Sequence, residues 1–175
     1  FIMKKWNVDT AHSSIGFSVK HMMVSKVRGS FGDFGGEVEA DETDLTAANI
    51  AFNIKVASIN TGNEDRDNHL RSADFFDAET YPEIKFVANN ITKKDDEYEI
   101  AGDITIKDVT KPIVFEAEYG GKGTNPWGQE VVAFSAETKL NREDFGLTWN
   151  QALETGGVLV GKDIKITIDL EANPV

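Results

Sequence analysis

From Tyr98 to Lys107 the chain alternates with a period of two: Tyr98, Ile100, Gly102, Ile104 and Ile106 share one parity, and Glu99, Asp103, Thr105 and Lys107 the other. That is the period of a β-strand with one face in a core and one in water. The pattern returns in Ile15, Phe17, Val19, His21 and Met23, in Ile50, Phe52, Ile54 and Val56, and in Ile113, Phe115, Ala117 and Tyr119. It returns again in Val132, Phe134, Ala136 and Leu140, and in Ile164, Ile166, Ile168 and Leu170. Ile84, Phe86 and Ala88 follow it too, with Val87 and Ile91 blurring the parity. Residues Val27 to Ala40, with Phe31, Phe34, Val38 and four glycines, read as one bulged and strongly bent strand at a barrel corner. With a short strand around Trp6–Val8, this makes about eight or nine strands at hairpin spacing. One long sheet buries so many one-faced strands by curling until it closes. The predicted fold is all-β, an extended eight-stranded antiparallel barrel with one short helical lid; a two-sheet sandwich satisfies the same alternation. At 175 residues the chain can bury one substantial core, so 1–175 reads as a single domain.

Only Ile59 to Phe86 breaks the succession of strands. Thr61 with Glu64 has the spacing of a capping box, and Glu64, Asp65 and Asp67 suit the positive end of a helix starting near Asn63. On a helix, Arg66, His69, Leu70 and Ala73 form the stripe expected to be buried, with Glu64, Asn68, Arg71 and Ser72 opposite. Arg66 and His69 then have two readings: a structural ion pair with a backbone-bonded imidazole, or contacts to the polar head of a ligand. Phe75-Phe76 and Tyr81-Pro82 form an apolar plug that returns the chain to a strand.

Charge and composition exclude several partners. Thirty acidic against eighteen basic residues give a net charge of -12, which repels phosphate backbones and anionic head groups, so nucleic acid is excluded as a partner. The absence of cysteine removes disulfides, thiolate metal sites and a thiol nucleophile. No apolar run approaches the roughly 20 residues of a spanning helix, so no stable membrane insertion is expected. Met3-Lys4-Lys5-Trp6 leads directly into strand-like sequence, which predicts a cytoplasmic protein, or a periplasmic or secreted one if a leader has been removed. A homodimer is compatible with these features.

No catalytic constellation emerges. The stretch Gly156 to Asp163 approaches a phosphate-binding loop, but Asp163 stands where a hydroxyl must hold magnesium, and the segment leads into a strand. His12 and His21 fall on opposite parities of one strand region, which argues against a zinc site with His69. Ser13 and Ser14 lack a nucleophile elbow, and Asp74, Asp77 and Glu79 read as solvated loop acids. No catalytic residue, metal or cofactor is therefore predicted. An enzyme using His21 or His69 as acid/base is the alternative, because imidazole titrates near neutrality. Gly120 to Gly128 reads as a long mobile hairpin loop, Asn141 to Gly146 as a turn ended by glycine, and Asn150 to Gly161 as irregular.

The surviving functional signal is an inward face rich in aromatic and branched residues. The candidate ligand contacts are Phe17, Val19, His21, Phe31, Phe34, Phe52, Ile54, Phe86, Ile104 and Phe115, with Arg66 and His69 at the lid. Such a face either makes a filled core or lines a cavity for an elongated apolar chain.

Several motifs resemble, in order, those of the YceI-like family. Asp9-Ala11-His12-Ser13, Phe17, Lys20-His21, Gly29-Phe31 and Phe34-Gly36 are similar to its opening signature. Thr61, Arg66-Asp67, His69-Leu70, Asp74-Phe75-Phe76, Tyr81-Pro82 and Phe86 resemble the central one, and Gly102, Thr110-Lys111-Pro112, Arg142 and Phe145-Gly146 the later ones. The resemblance implies a lipocalin-like barrel that binds a polyisoprenoid or another long-chain lipid in its interior, usually without known catalysis.

Overall fold

The one-faced strands of the sequence pair in an almost unbroken meander. The structure, a computed structural model, describes residues 3–41, 43–151, 153 and 159–175. In chain order the strands are β1 (Lys4–Val8), β2 (Ser14–His21), β3 (Ser25–Phe31), β4 (Phe34–Asp41), β5 (Asp44–Lys55) and the short β6 (Ile59–Asn60). Helix α1 (Glu64–Arg71) follows, and then β7 (Glu83–Lys94), β8 (Glu97–Ile106), β9 (Val109–Thr124), β10 (Glu130–Asn141) and β11 (Val160–Pro174).

These strands make an eight-staved antiparallel barrel, because three staves are interrupted. β11 pairs with β2 through Ile168↔Ile15 and with β1 through Ala172↔Val8, so β1 and β2 are two halves of one stave. β3 and β4, separated only by Gly32 and Asp33, pair with β2 and β1 respectively and form the next. β5 continues into β6 after a 3-10 turn at Val56–Ser58. The pairing β1–β11 closes the ring. The bend anticipated between Val27 and Ala40 is thus a complete break in the strand.

Alternation sets the inside. Ile104 and Ile106 of β8, Ile113, Phe115 and Ala117 of β9, and Val132 of β10 are buried, as their parity requires. Two apolar clusters result. A large one, including Ile15, Phe31, Phe34, Ile84, Phe86, Phe115 and Phe145, occupies the end of the barrel that carries α1. A small one, Trp6, Ala40, Val132 and Ala172, occupies the opposite end.

Three glycines let aromatic rings lie flat against the wall. Gly29 faces Phe17 across β2–β3, and a Cβ there would stand 2.4 Å from the ring; at Gly36, opposite Phe52, the distance would be 2.7 Å. Gly102 is the most constrained, since a Cβ would meet both the Phe86 ring at 2.7 Å and the carbonyl oxygen of Val87 at 2.3 Å.

The segment read as a long loop is largely strand. β9 runs through Gly120, Gly121 and Gly123 to Thr124, paired with β10 as far as Glu130, and only residues 125–129 turn. The glycines accommodate an irregularity between Ala133 and Phe134, where Gly121 takes φ +103°. Glycine abundance pointed to a loop, but the long-range pairing to β10 overrides that local preference. Met23, expected on the inward face of β2, lies instead in the turn beyond His21, with φ 65°.

Gly102→Ala should therefore destabilise the barrel by about 1–3 kcal/mol or more, because a backbone oxygen cannot yield as a side chain can. Gly35→Ala, where nothing lies within 4 Å, should be nearly neutral. Urea unfolding of the two variants checks the contrast.

Candidate ligand-binding cavity

The two clusters do not meet. Between them runs a cavity of about 170 Å³. Its wall takes residues from every stave, from Trp6, Ala40 and Ala172 at one end to Phe31 and Ile106 at the other, so the space is long and narrow. Among the described residues no charged side chain lines it; the polar side chains are those of Trp6, Tyr98, Tyr119 and Ser135. The indole Nε1 of Trp6 is buried without a hydrogen-bond acceptor among the described residues. Such a space favours apolar matter and disfavours any ion.

Of the residues anticipated as ligand contacts, Phe17, Phe31, Phe52, Ile54, Phe86, Ile104 and Phe115 stand in the wall. The remaining five do not. Val19 pairs with Val27 and Ile164 above the cavity, and His21 ends β2 where the chain turns outward. Phe34 is buried but packs in the cluster beside the break in its stave. Arg66 reaches neither the cavity nor a carboxylate. Its Nε donates to the Thr61 hydroxyl at 2.7 Å and its Nη2 to the Thr61 carbonyl at 2.8 Å. His69 lies 2.9 Å from Asp74 and stands edge-on to Phe75 and Trp149, with ring centroids 5.1 and 4.7 Å away.

The helix has turned relative to the face read from its sequence. Asp67, not Arg66, is its one buried side chain, and it accepts from the Thr61 amide at 2.9 Å and the Thr61 hydroxyl at 2.6 Å. Asn63 is the N-cap, accepting from the Arg66 amide at 3.0 Å. Thr61 is therefore spent on Asp67 and does not close the capping box its spacing suggested. A helix of eight residues has too few turns for its apolar stripe to dominate, so these specific bonds fix its rotation.

The domain model of the YceI-like family matches residues 6–172. This chain belongs to the YceI-like family. A UPF0312 protein of Staphylococcus epidermidis is 45% identical to it over 170 residues, which span 97% of either chain. Among solved structures, BcnA of Burkholderia cenocepacia superposes with a TM-score of 0.82 at 24% identity, over 94% of this chain and 98% of its own. A polyisoprenoid binding domain from Saccharophagus degradans superposes with a TM-score of 0.70 at 12% identity, over 97% and 98%. The last two likenesses are of fold.

The YceI-like barrel is capped on the side of α1 by the buried Phe75, Phe145 and Leu147. Arg142, only 3% exposed, organises this cap. It donates to the carbonyls of Leu147 at 2.6 Å, Trp149 at 3.0 Å, Gly161 at 2.7 Å and Val160 at 3.3 Å. Burial pushes the pKa of its guanidinium down, with Glu143 opposing. In the sequence Arg142 stands out only within the family-like motif that it forms with Phe145-Gly146. Its parity, continuing that of Ala136 and Leu140, was the available sign that it turns inward. The phosphate-loop-like stretch falls partly outside the described residues, at 156–158, and its remainder from Val160 is strand β11. Residues 152 and 154–158 of the stretch read as irregular likewise lie outside the described residues.

Asp9, His12 and Glu171 gather outside the barrel at the β1–β2 junction, with donor atoms within 4.8 Å of one another. His12 Nδ1 lies 2.8 Å from an Asp9 carboxylate oxygen. This hydrogen bond, and the charges of Asp9 and Glu171, raise the His12 pKa above the ordinary histidine value.

Two outcomes are expected. Arg142→Met should destabilise the fold by at least about 3 kcal/mol, since each buried acceptor left without a donor costs about 1–3 kcal/mol; chemical denaturation measures this. Asp9→Asn should lower the His12 pKa, read by NMR titration of the imidazole. The sign follows from linkage: with a folded pKa above the unfolded one, the His12 contribution to stability is present below the unfolded value and lost as pH rises through the folded one.

Proposed function

We propose that the barrel binds a long-chain apolar molecule, a polyisoprenoid or related lipid, and carries, stores or sequesters it. The observation that carries this reading is the unfilled apolar interior: strands from all eight staves turn aliphatic and aromatic groups inward, yet a cavity of about 170 Å³ remains along their length. Protein cores ordinarily close-pack, so a core of this composition with a continuous gap is the form of a container. A dry cavity of ~150 Å³ already accepts a benzene-sized guest. Here the space is drawn out along the barrel, which suits an extended chain better than a compact ring system. Each methylene withdrawn from water contributes about 0.8 kcal/mol, so length alone supplies affinity. The polyisoprenoid binding domain of Saccharophagus degradans has the same fold, which adds support.

Binding, and not turnover, is the reading supported by the histidines. Neither His21 nor His69 stands in the cavity wall. Among the described residues the wall holds no histidine, carboxylate, lysine or arginine.

Organic extraction of the purified protein followed by mass spectrometry tests the proposal. A long-chain compound should be recovered from the wild type, or taken up when an isoprenoid alcohol is added. Ala136→Phe, which places a ring in the cavity, should reduce uptake about tenfold, since overpacking costs about 1–3 kcal/mol. Failure to recover or load any long-chain compound would defeat the reading.

A further inference from the structure

Although the chain is strongly acidic, residues 10–32 contain no carboxylate. Within that stretch the β2–β3 hairpin carries Lys20, Lys26 and Arg28, all exposed. Lys20 and Lys26 stand directly opposite one another across the hairpin, and Arg28 lies opposite Ser18 one pair further along the same face. Like charges in directly opposed positions destabilise a strand pair. No ion pair relieves these three cations among the described residues.

The turn between the strands is costly in a second way. It consists of Met22, Met23 and Val24, which are 48%, 55% and 88% exposed. Met22 and Met23 adopt φ 54° and 65°, the left-handed region that glycine and asparagine enter more readily. A hairpin facing only water would put small polar residues here. An apolar tip beside three cations without an ion pair among the described residues matches the interface of an anionic bilayer, which takes apolar groups below its head groups and cations at their level. The turn lies at the end of the barrel where β5 ends and β7 begins, which is also the end that carries α1.

We propose that the β2–β3 hairpin docks this end of the barrel on an anionic lipid bilayer, with Met22, Met23 and Val24 among the acyl chains and Lys20, Lys26 and Arg28 at the phosphates. The repulsion expected from the net charge of -12 is weakened here, because charges beyond about 10 Å are screened at ordinary ionic strength and residues 10–32 carry no carboxylate. What the membrane meets first is the cationic hairpin. The inference extends the reading of the barrel as a lipid binder, since such a protein must meet the membrane that supplies its cargo, but docking itself needs no cargo.

Co-sedimentation with vesicles tests it. The wild type should pellet with equimolar phosphatidylglycerol and phosphatidylcholine, less so as salt rises, and should stay in solution with phosphatidylcholine alone. Removing three interfacial cations in K20Q/K26Q/R28Q should lower the partition coefficient roughly a hundredfold, at about fivefold each. M22S/M23S/V24S should lower it by at least roughly tenfold, the effect of one apolar side chain returned to water. Lys26→Glu should weaken binding while raising the melting temperature, because it turns a repulsive cross-strand pair into an attractive one; a misfolded variant cannot show that combination. M22S/M23S/V24S should retain the wild-type uptake of an isoprenoid alcohol presented in detergent, which separates docking from cavity binding. Wild-type protein that ignores anionic vesicles, or variants that bind them like the wild type, would overturn the proposal even where the cavity binds lipid.

Discussion

Closure of the barrel depends on β11. Its fifteen residues pair on one side with β10 along ten positions and on the other with two different strands, β2 and then β1. An open sheet would expose two rows of unpaired amides and carbonyls and leave its inner apolar face in water. By holding both halves of the first stave, β11 removes the edges and encloses the interior in one step. The cost falls at residues 9–13, where the stave is interrupted. There Asp9 donates its amide to the Glu171 carbonyl, and the Ser13 hydroxyl accepts from the Glu171 amide at 3.0 Å. Both bonds go to Glu171 of β11, so the interruption stays tied to the strand that closes the ring.

An enclosed interior need not leave a cavity, and the distribution of side-chain size explains why this one does. At three places a glycine stands beneath a phenylalanine: Gly29 under Phe17, Gly36 under Phe52, and Gly102 under Phe86. A ring that lies over glycine follows the wall and does not project across the lumen. Small residues in the wall, Ala40, Ala48, Ala117, Ala136 and Ala172, withhold the remaining volume. The aromatic content that reads in sequence as ample filling is thus spread as lining.

Parity carried most of this fold in the sequence. Tyr98 to Ile106 fixed the inward face of β8, and Phe52, Ile54, Phe86 and Phe115 could be placed in the wall from their spacing alone. The period-two rule stops applying at the strand ends and in the helix. Val19 and His21 keep the parity of Phe17 but lie beyond the end of the cavity, and strand length relative to the lumen is not written in alternation. Arg66 and His69 share a helical stripe that eight residues cannot enforce against the bonds of Thr61, Asn63 and Asp67. Gly120 to Thr124 carried a loop's composition and a strand's partner, and only the partner, far away in sequence, decides between them.

Val19 and His21 of β2 and Arg66 and His69 of α1 lie at one end of the barrel, and that end is held differently from the rest. Along the staves, apolar burial and the ladder act together. At the cap, α1 buries no apolar side chain completely and is tied down by Thr61 with Asp67 and by Arg71, which donates to the carbonyls of Ala57 and Ile59 at 3.0 Å. Each such bond contributes only about 0.5–1.5 kcal/mol net, because water replaces it when it breaks. Arg142 is different, since the guanidinium is itself buried and its bond to the Leu147 carbonyl lies out of water, so that no solvent replaces it there. The cap therefore combines a fixed half, organised by Arg142 around Leu147 and Trp149, with a half that separates at lower cost, organised by α1. Phe75, which follows the helix, packs on Trp149 with ring centroids 5.4 Å apart and so joins the two halves.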